Sequence, residues 1–198
     1  MDWTAFFLSL RLAGLTVLIL LPIAVFAGRF LAYRQFAAKS LVEAVVMLPL
    51  VLPPTVFGYY LLTWFGARAP VGQAWQAMFG HPLVFTFEGL LVASVIFNLP
   101  FALQPTQRGF EAIPVQVREA AACCGLSPLR ALWRVELPMA WPGLMTAMAL
   151  TFAHTLGEFG IVLMVGGSIP GQTKTIAISI YDKVQGFDMQ GAATMSAV

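Results

Sequence analysis

Four strongly apolar stretches of this sequence carry no Asp, Glu, Lys or Arg: residues 12–28, 44–67, 89–107 and 137–157. A helix crossing the hydrocarbon core of a bilayer needs about 20 predominantly apolar residues in a row. Soluble domains interrupt such runs with surface charge. Across the whole chain 59% of residues are hydrophobic and 10% are charged, where an ordinary soluble domain has about a quarter charged. The mean hydropathy is +0.82. These runs predict a single all-α integral membrane domain over residues 1–198, with complete spans near 7–28, 42–65, 85–105 and 139–164. A fifth apolar segment begins at Met189 and reaches Val198 without a flanking charge. The expectation there is a fifth helix cut off at Val198, the alternative being a four-span chain with a mildly apolar tail.

Other classes are excluded more briefly. Val25-Phe26-Ala27 resembles a signal-peptide cleavage site, but the apolar run before it is long and further spans follow, so the first span reads as retained. A net charge of +2 is too small to imply nucleic acid. Cys123 and Cys124 are adjacent and cannot supply the spaced framework of a disulfide-stapled domain.

Basic residues decide which loops face the cytoplasm. Arg29, Arg34 and Lys39 follow the first span, and Arg108, Arg118, Arg130 and Arg134 follow the third, seven on one side. Arg11, Arg68, Lys174 and Lys183 make four on the other. The richer side is assigned to the cytoplasm, which places the N-terminus outside. Arg11 counts against this orientation, although near a span end it can snorkel to the surface.

The loop at residues 106–138 then lies in the cytoplasm. Ile113-Pro114 fits the start of a short Ala-rich helix running to Cys124, with Pro tolerated in the first turn. Gly125 can take positive φ and end it. Ser127 as N-cap and Pro128 at the first helical position restart a helix, whose Leu129, Leu132 and Trp133 share a face. Pro138 marks the start of the next span. From periodicity alone this hairpin reads equally well as an interfacial anchor or as a knob gripped by a soluble partner.

Glu119-Ala120-Ala121, then Gly125, then Val135-Glu136-Leu137-Pro138 resembles the EAA motif of permease subunits in binding-protein-dependent ABC importers, with Val135 where Ile is usual. The resemblance implies a type I importer permease fold. It also implies that Glu119, Ala120, Ala121, Gly125, Ser127, Pro128, Leu137 and Pro138 form a coupling element that docks on an ATPase subunit. Small Ala side chains permit close approach, and Glu119 can pair with a basic residue on the partner. A broader likeness covers most of the chain. Leu48 to Val56, Phe79 to Leu83, Leu156 to Gly160 and Gly166 to Gly171 look like the oxyanion branch of these permeases. The short N-terminus looks most like molybdate permease subunits, with sulfate, thiosulfate or tungstate permeases as the alternative. The implied partners are a second copy of the chain, two ATPase subunits that hold the ATP and Mg²⁺, an external oxyanion-binding protein and the lipid bilayer of a bacterial inner membrane. No cofactor, metal or catalytic residue is expected on this chain.

Residues within the spans are candidates for the pathway or its gate. Pro49, Pro53 and Pro54 each remove a backbone donor inside one span. They read either as pathway-lining or as a structural kink. His154 and Glu158 stand four apart, on one helix face. They fit a proton relay, a His–Glu contact holding a gate or dimer interface, or a Glu158 close enough to the outer surface to meet water. Thr55, Asn98 and Thr151 complete the tentative pathway set, with Ser94 nearby. No Lys or Arg lies deep in a span, as suits a pore that must release an anion rather than hold it. Gly166 to Thr175 nearly spells a P-loop, but Gln172 occupies the lysine position and no strand precedes it, so it reads as an outer loop. The alternation of Ile176, Ile178 and Ile180 reads as a short surface element beyond that loop.

Overall fold

In a computed structural model that describes residues 2–197, the first charge-free run lies inside one long helix, α1 (Trp3–Tyr33). Asp2 caps it, its Oδ1 accepting the Ala5 N–H at 3.0 Å. The third run lies inside α5 (Phe87–Glu111), which begins where the Thr86 hydroxyl accepts the Gly89 N–H at 3.2 Å. Both helices are long and apolar enough to cross a membrane.

The second and fourth expected spans are broken. The second becomes α2 (Lys39–Val51) and α3 (Pro54–Phe65), bent by 107°. The fourth becomes α8 (Leu137–Gly157) and α9 (Gly160–Gly166), bent by 61°. If each bent pair is one span, the helices apolar enough to cross a membrane number four. The break after Leu52 follows from local chemistry. Pro53 and Pro54 offer no N–H, and a residue preceding proline is pushed towards extended backbone. Pro53 accordingly has φ −55° and ψ 134°. A single kinked helix over 42–65 was the expectation. Two consecutive prolines instead turn the chain through more than a right angle.

Two shorter segments depart from the sequence reading, and a third begins where a fifth helix was expected. Residues 70–79, for which no element was expected, form α4 (Pro70–Phe79), closed by Gly80 at φ 78°. Ile176–Gln185 is the helix α10, with Ile178 and Ser179 buried, rather than an alternating surface element. Met189–Ser196 is the helix α11, capped by Asp188, which accepts the Gly191 N–H. Val198, where the fifth span was expected to stop, lies outside the described residues.

The segment expected to be a cytoplasmic loop contains α6 (Val115–Cys123) and α7 (Pro128–Ala131). Then comes a wide π turn over Leu132–Glu136, which leads into α8. Pro138 was expected to separate hairpin from span. Instead the chain is helical from Pro128 through Gly157. The Leu137 N–H reaches back to the Leu132 carbonyl, a five-residue loop that makes room for the proline ring.

Contacts divide the chain into two units: residues 1–16, 48–98 and 152–198, and residues 17–47 and 99–151. In the first, Leu61, Phe65, Leu83, Ala93, Phe97, Ile161 and Val165 form one apolar cluster, and Leu12, Leu90, Val162 and Ile178 another. In the second, Phe110, Ile113, Leu132 and Ala140 are packed with Tyr33, Val117 and Leu137.

Close helix approach in the second unit depends on glycine. A Cβ on Gly143 would lie 2.5 Å from the Pro105 carbonyl oxygen and 2.9 Å from the Gly109 Cα. Gly14 has nothing within 4 Å. Gly143→Val therefore forces α5 and α8 apart and costs about 1–3 kcal/mol. It is expected to lower the thermal midpoint of the detergent-solubilised protein by several degrees, whereas Gly14→Ala leaves it unchanged or raises it. Equal midpoints for the two variants would refute the close crossing.

Candidate functional site

Two groups of candidate residues lie in different units. The first is the hairpin of α6 and α7. Pro114 precedes α6 with φ −57° and ψ 139°, a helix start that needs no side-chain cap. The far end is a Schellman closure: the Gly125 N–H bonds the Ala122 carbonyl and the Leu126 N–H bonds the Ala121 carbonyl. Gly125 sits at φ 74°, a conformation that side chains resist. The expectation that Gly125 ends the helix with positive φ thus describes the turn. Ser127 stands at the N-cap of α7, but its hydroxyl makes no capping bond. Pro128 occupies the first turn of α7, Leu137 is half-buried beside the apolar cluster of the second unit, and Pro138 follows it, exposed.

The two alanines of the motif face different ways. Glu119 and Ala120 are exposed, and Ala121 is buried within its own chain. Only Ala120 of the pair can offer close approach to a partner. Ala121 instead seats α6 on the protein. Cys123 and Cys124 are free and exposed at the same helix end.

Sequence reasoning missed what holds this hairpin down. The Arg29 guanidinium donates to both oxygens of Glu136, Nε to Oε2 and Nη2 to Oε1, the latter at 3.0 Å. Glu136 is 4% exposed. Breaking a buried pair by removing one partner costs about 3–5 kcal/mol, because the other charge is left uncompensated. One helical turn beyond Arg29, the Tyr33 ring carries Arg118 of α6 over its face at 3.7 Å. Arg29 and Glu136 stand 107 residues apart, and no local pattern joins them. The available signal was positional: Arg29 ends the first charge-free run and Glu136 precedes the last.

The second group lies within the helices of the first unit, apart from Thr151 of α8, which the contacts assign to the second unit and which is buried. Asn98 is fully buried, its amide donating to the Ser94 carbonyl at 2.9 Å. Its Oδ1 faces His154 Nδ1 at 3.0 Å, and the imidazole lies against Phe97. Glu158, also buried, accepts the Ile161 N–H at 3.1 Å. The two residues expected to share one helix face are thus engaged in different places: His154 meets α5, while Glu158 caps the break before α9. Pro53, Pro54 and Thr55 are exposed at the start of α3. Their backbone runs so close to Gly160 that a Cβ there would lie 3.0 Å from Pro54 Cβ and 3.3 Å from the Thr55 nitrogen. The near-P-loop folds into a turn after α9, where the Thr173 hydroxyl donates to the Gly166 carbonyl at 2.7 Å.

Comparison with known proteins gives this architecture a context. Residues 21–198 match the family described as binding-protein-dependent transport system inner membrane component. The chain belongs to this family. It is 46% identical over 187 residues to the molybdenum transport system permease protein ModB of Azotobacter vinelandii, covering 94% of this chain and 83% of that protein. It is 34% identical over 184 residues to the ModB protein of Escherichia coli K12, covering 93% and 80%. A solved bacterial alginate ABC transporter, in complex with a periplasmic protein bound to an alginate pentasaccharide, matches with a TM-score of 0.79 at 16% identity. That match covers 98% of this chain and 71% of that one. At such identity the likeness concerns the fold, which is that of an ABC transporter permease. The chain is thus a multi-pass inner-membrane transport component, not an enzyme.

The cap formed by Glu158 yields a test between relay and structure. Glu158→Gln keeps a carbonyl acceptor for the Ile161 N–H, and transport is expected to stay within about twofold of wild type. Glu158→Ala removes the cap at a cost of about 0.5–2 kcal/mol and should reduce transport several-fold. Loss of transport in the Gln variant would instead assign Glu158 to proton transfer.

Proposed function

We propose that this chain is the membrane-spanning subunit of an ATP-driven importer and forms the translocation pathway for molybdate. The observation that carries this reading is the 46% identity to a molybdenum transport permease over nearly the whole chain. The closed, rigid end of α6 supports it, since a helix that must transmit force has to end in a fixed turn. On this reading two copies pair around a central pathway and two ATPase subunits hold ATP and Mg²⁺. An external oxyanion-binding protein delivers the cargo. The N-terminus faces outward and residues 106–138 face the cytoplasm. Residues near 7–28, 42–65, 85–105 and 139–164 cross the bilayer, with a further span from Met189.

Alternating access follows from this arrangement. ATP closes the ATPase pair and moves α6 through Glu119, Ala120 and the turn at Gly125. The pathway opens outward, receives the anion and returns on hydrolysis. Asn98 and His154 supply polar groups within the helices of the first unit, and Thr151 supplies a hydroxyl in the second. A dianion meets hydrogen-bonding partners there without a fixed cation to retain it. Pro53, Pro54, Thr55 and Glu158 form the break at which a gate can move.

Molybdenum accumulation tests the assignment. A strain lacking its own molybdate importer would express the full-length protein with its ATPase and binding protein. Uptake from trace molybdate should persist in a large excess of sulfate. Uptake abolished by modest sulfate would move the cargo to sulfate.

Gly125→Asp tests the coupling role of α6. Membrane insertion is expected to survive while co-purification of the ATPase, or uptake, falls at least about tenfold, equivalent to roughly 1.4 kcal/mol. Normal assembly and uptake in that variant would remove the coupling assignment.

A further inference from the structure

The Arg29–Glu136 pair occupies a position that the motif itself leaves undefined, between Val135 and Leu137-Pro138. Glu136 is also the last residue of the π turn. Such wide turns are rare, and they interrupt the regular hydrogen-bond ladder of a helix. Here the turn stands between α7 and α8, on the path by which displacement of the hairpin would reach the long helix. Left alone, this is where that path would yield.

Four observations bind the yielding point to α1. Arg29 grips both oxygens of Glu136. Arg118 of α6 lies over the Tyr33 ring at 3.7 Å, and Arg29 lies 5.6 Å from the same ring. Tyr33 meets Phe110 of α5 edge-on, with ring centroids 6.1 Å apart. Val25 and Ala32 of α1 pack against the cluster of Phe110, Ile113, Leu132 and Ala140. The end of α1, the coupling helix and the π turn are thus joined by directional contacts as well as by apolar packing. Other residues of α6 are less constrained, although Glu119 lines the same cleft as Arg29, Arg118 and Glu136. Glu119 and Ala120 are exposed, and no ion pair is recorded for Glu119 among the described residues.

We propose that Arg29 and Glu136 are positioning residues that lock the end of α1 to the π turn, so that force delivered to α6 moves α1 with it. The lock rests on the reading of α6 as the ATPase-coupling helix. Burial and bidentate geometry give it direction as well as strength, since a guanidinium fork matches a carboxylate in one orientation. Apolar packing alone would let the surfaces slide. Tyr33 serves as the second point of attachment, because one contact fixes a position and two fix an angle.

The test uses the whole importer in proteoliposomes: this protein with its ATPase and binding protein. Spin labels at Phe30→Cys on α1 and Gln116→Cys on α6, in a Cys123→Ser/Cys124→Ser background, report their separation by dipolar EPR. With Arg29 and Glu136 intact the separation should be the same with and without nucleotide. In Glu136→Gln it should broaden and become nucleotide-dependent. Molybdate transported per ATP hydrolysed should fall at least about tenfold, while ATPase assembly and hydrolysis persist. Arg29→Lys, which keeps the charge but not the fork, should give an intermediate ratio. Tyr33→Leu, which keeps an apolar side chain and leaves no charge buried, should lower the ratio several-fold, and it carries the test where Glu136→Gln does not insert.

An unchanged transport ratio in Glu136→Gln, or in Tyr33→Leu, would overturn the lock. So would a nucleotide-dependent separation with the pair intact. If Gly125→Asp also leaves assembly and uptake normal, the coupling reading fails and the lock fails with it. If Gly125→Asp uncouples while Glu136→Gln does not, only the lock is lost.

Discussion

Hydrocarbon offers no partner to a backbone N–H or C=O, so each such group in a spanning segment must be satisfied within the protein. This constraint explains why the described residues form helices, and it makes the two breaks informative. Pro53 and Pro54 interrupt the second expected span, and Glu158-Phe159 interrupts the fourth. Both breaks lie in the first unit, and they meet. Gly160 packs on Pro54 and Thr55, and Gly58 packs on Ile161 and Met164. A side chain at either glycine would hold α3 and α9 apart. The Glu158 carboxylate supplies an acceptor to the Ile161 N–H, one of the donors orphaned at the start of α9. The two broken helices thus meet at their breaks, while Pro53, Pro54 and Thr55 keep an exposed side.

How much of this could be read from the sequence depended on the range of the interaction involved. Charge-free runs reveal helices because the bilayer acts on each residue separately, and α1 and α5 contain the runs that announced them. Gly125 was legible because positive φ is a demand on one residue. The prolines marked a weak point, but not whether the chain would kink or turn by 107°; that depends on α9 filling the corner. Pro138 looked like a boundary because a regular α-helix would reject it, whereas a π turn accommodates it. Ile176, Ile178 and Ile180 alternate by chance of composition, and burial of Ile178 in an apolar cluster decided in favour of helix. The tie between Arg29 and Glu136 lay beyond any local pattern, because no periodicity connects α1 to the turn before α8.

The polar residues of the interior fall into two kinds. Arg29 and Glu136 compensate each other's charge and hold elements together. Asn98 and His154 join α5 to α8 through a hydrogen bond between an amide and an imidazole. A pair of full charges binds strongly and in one geometry. A neutral amide and an imidazole exchange partners at little cost, because each has donors and acceptors to offer elsewhere. The strong pair stands beside the hairpin on the second unit, and the weaker one stands within the helices of the first.

The glycines follow the same division. Gly143 and Gly109 bring α8 and α5 into backbone contact, which leaves little freedom to slide. Gly157 has nothing within 4 Å of its would-be Cβ and directly precedes the break at Glu158. A tight crossing at one end of α8 and open space at the other give the helix a fixed portion and a yielding one. α8 thus begins at the π turn held by Arg29 and ends at the break capped by Glu158.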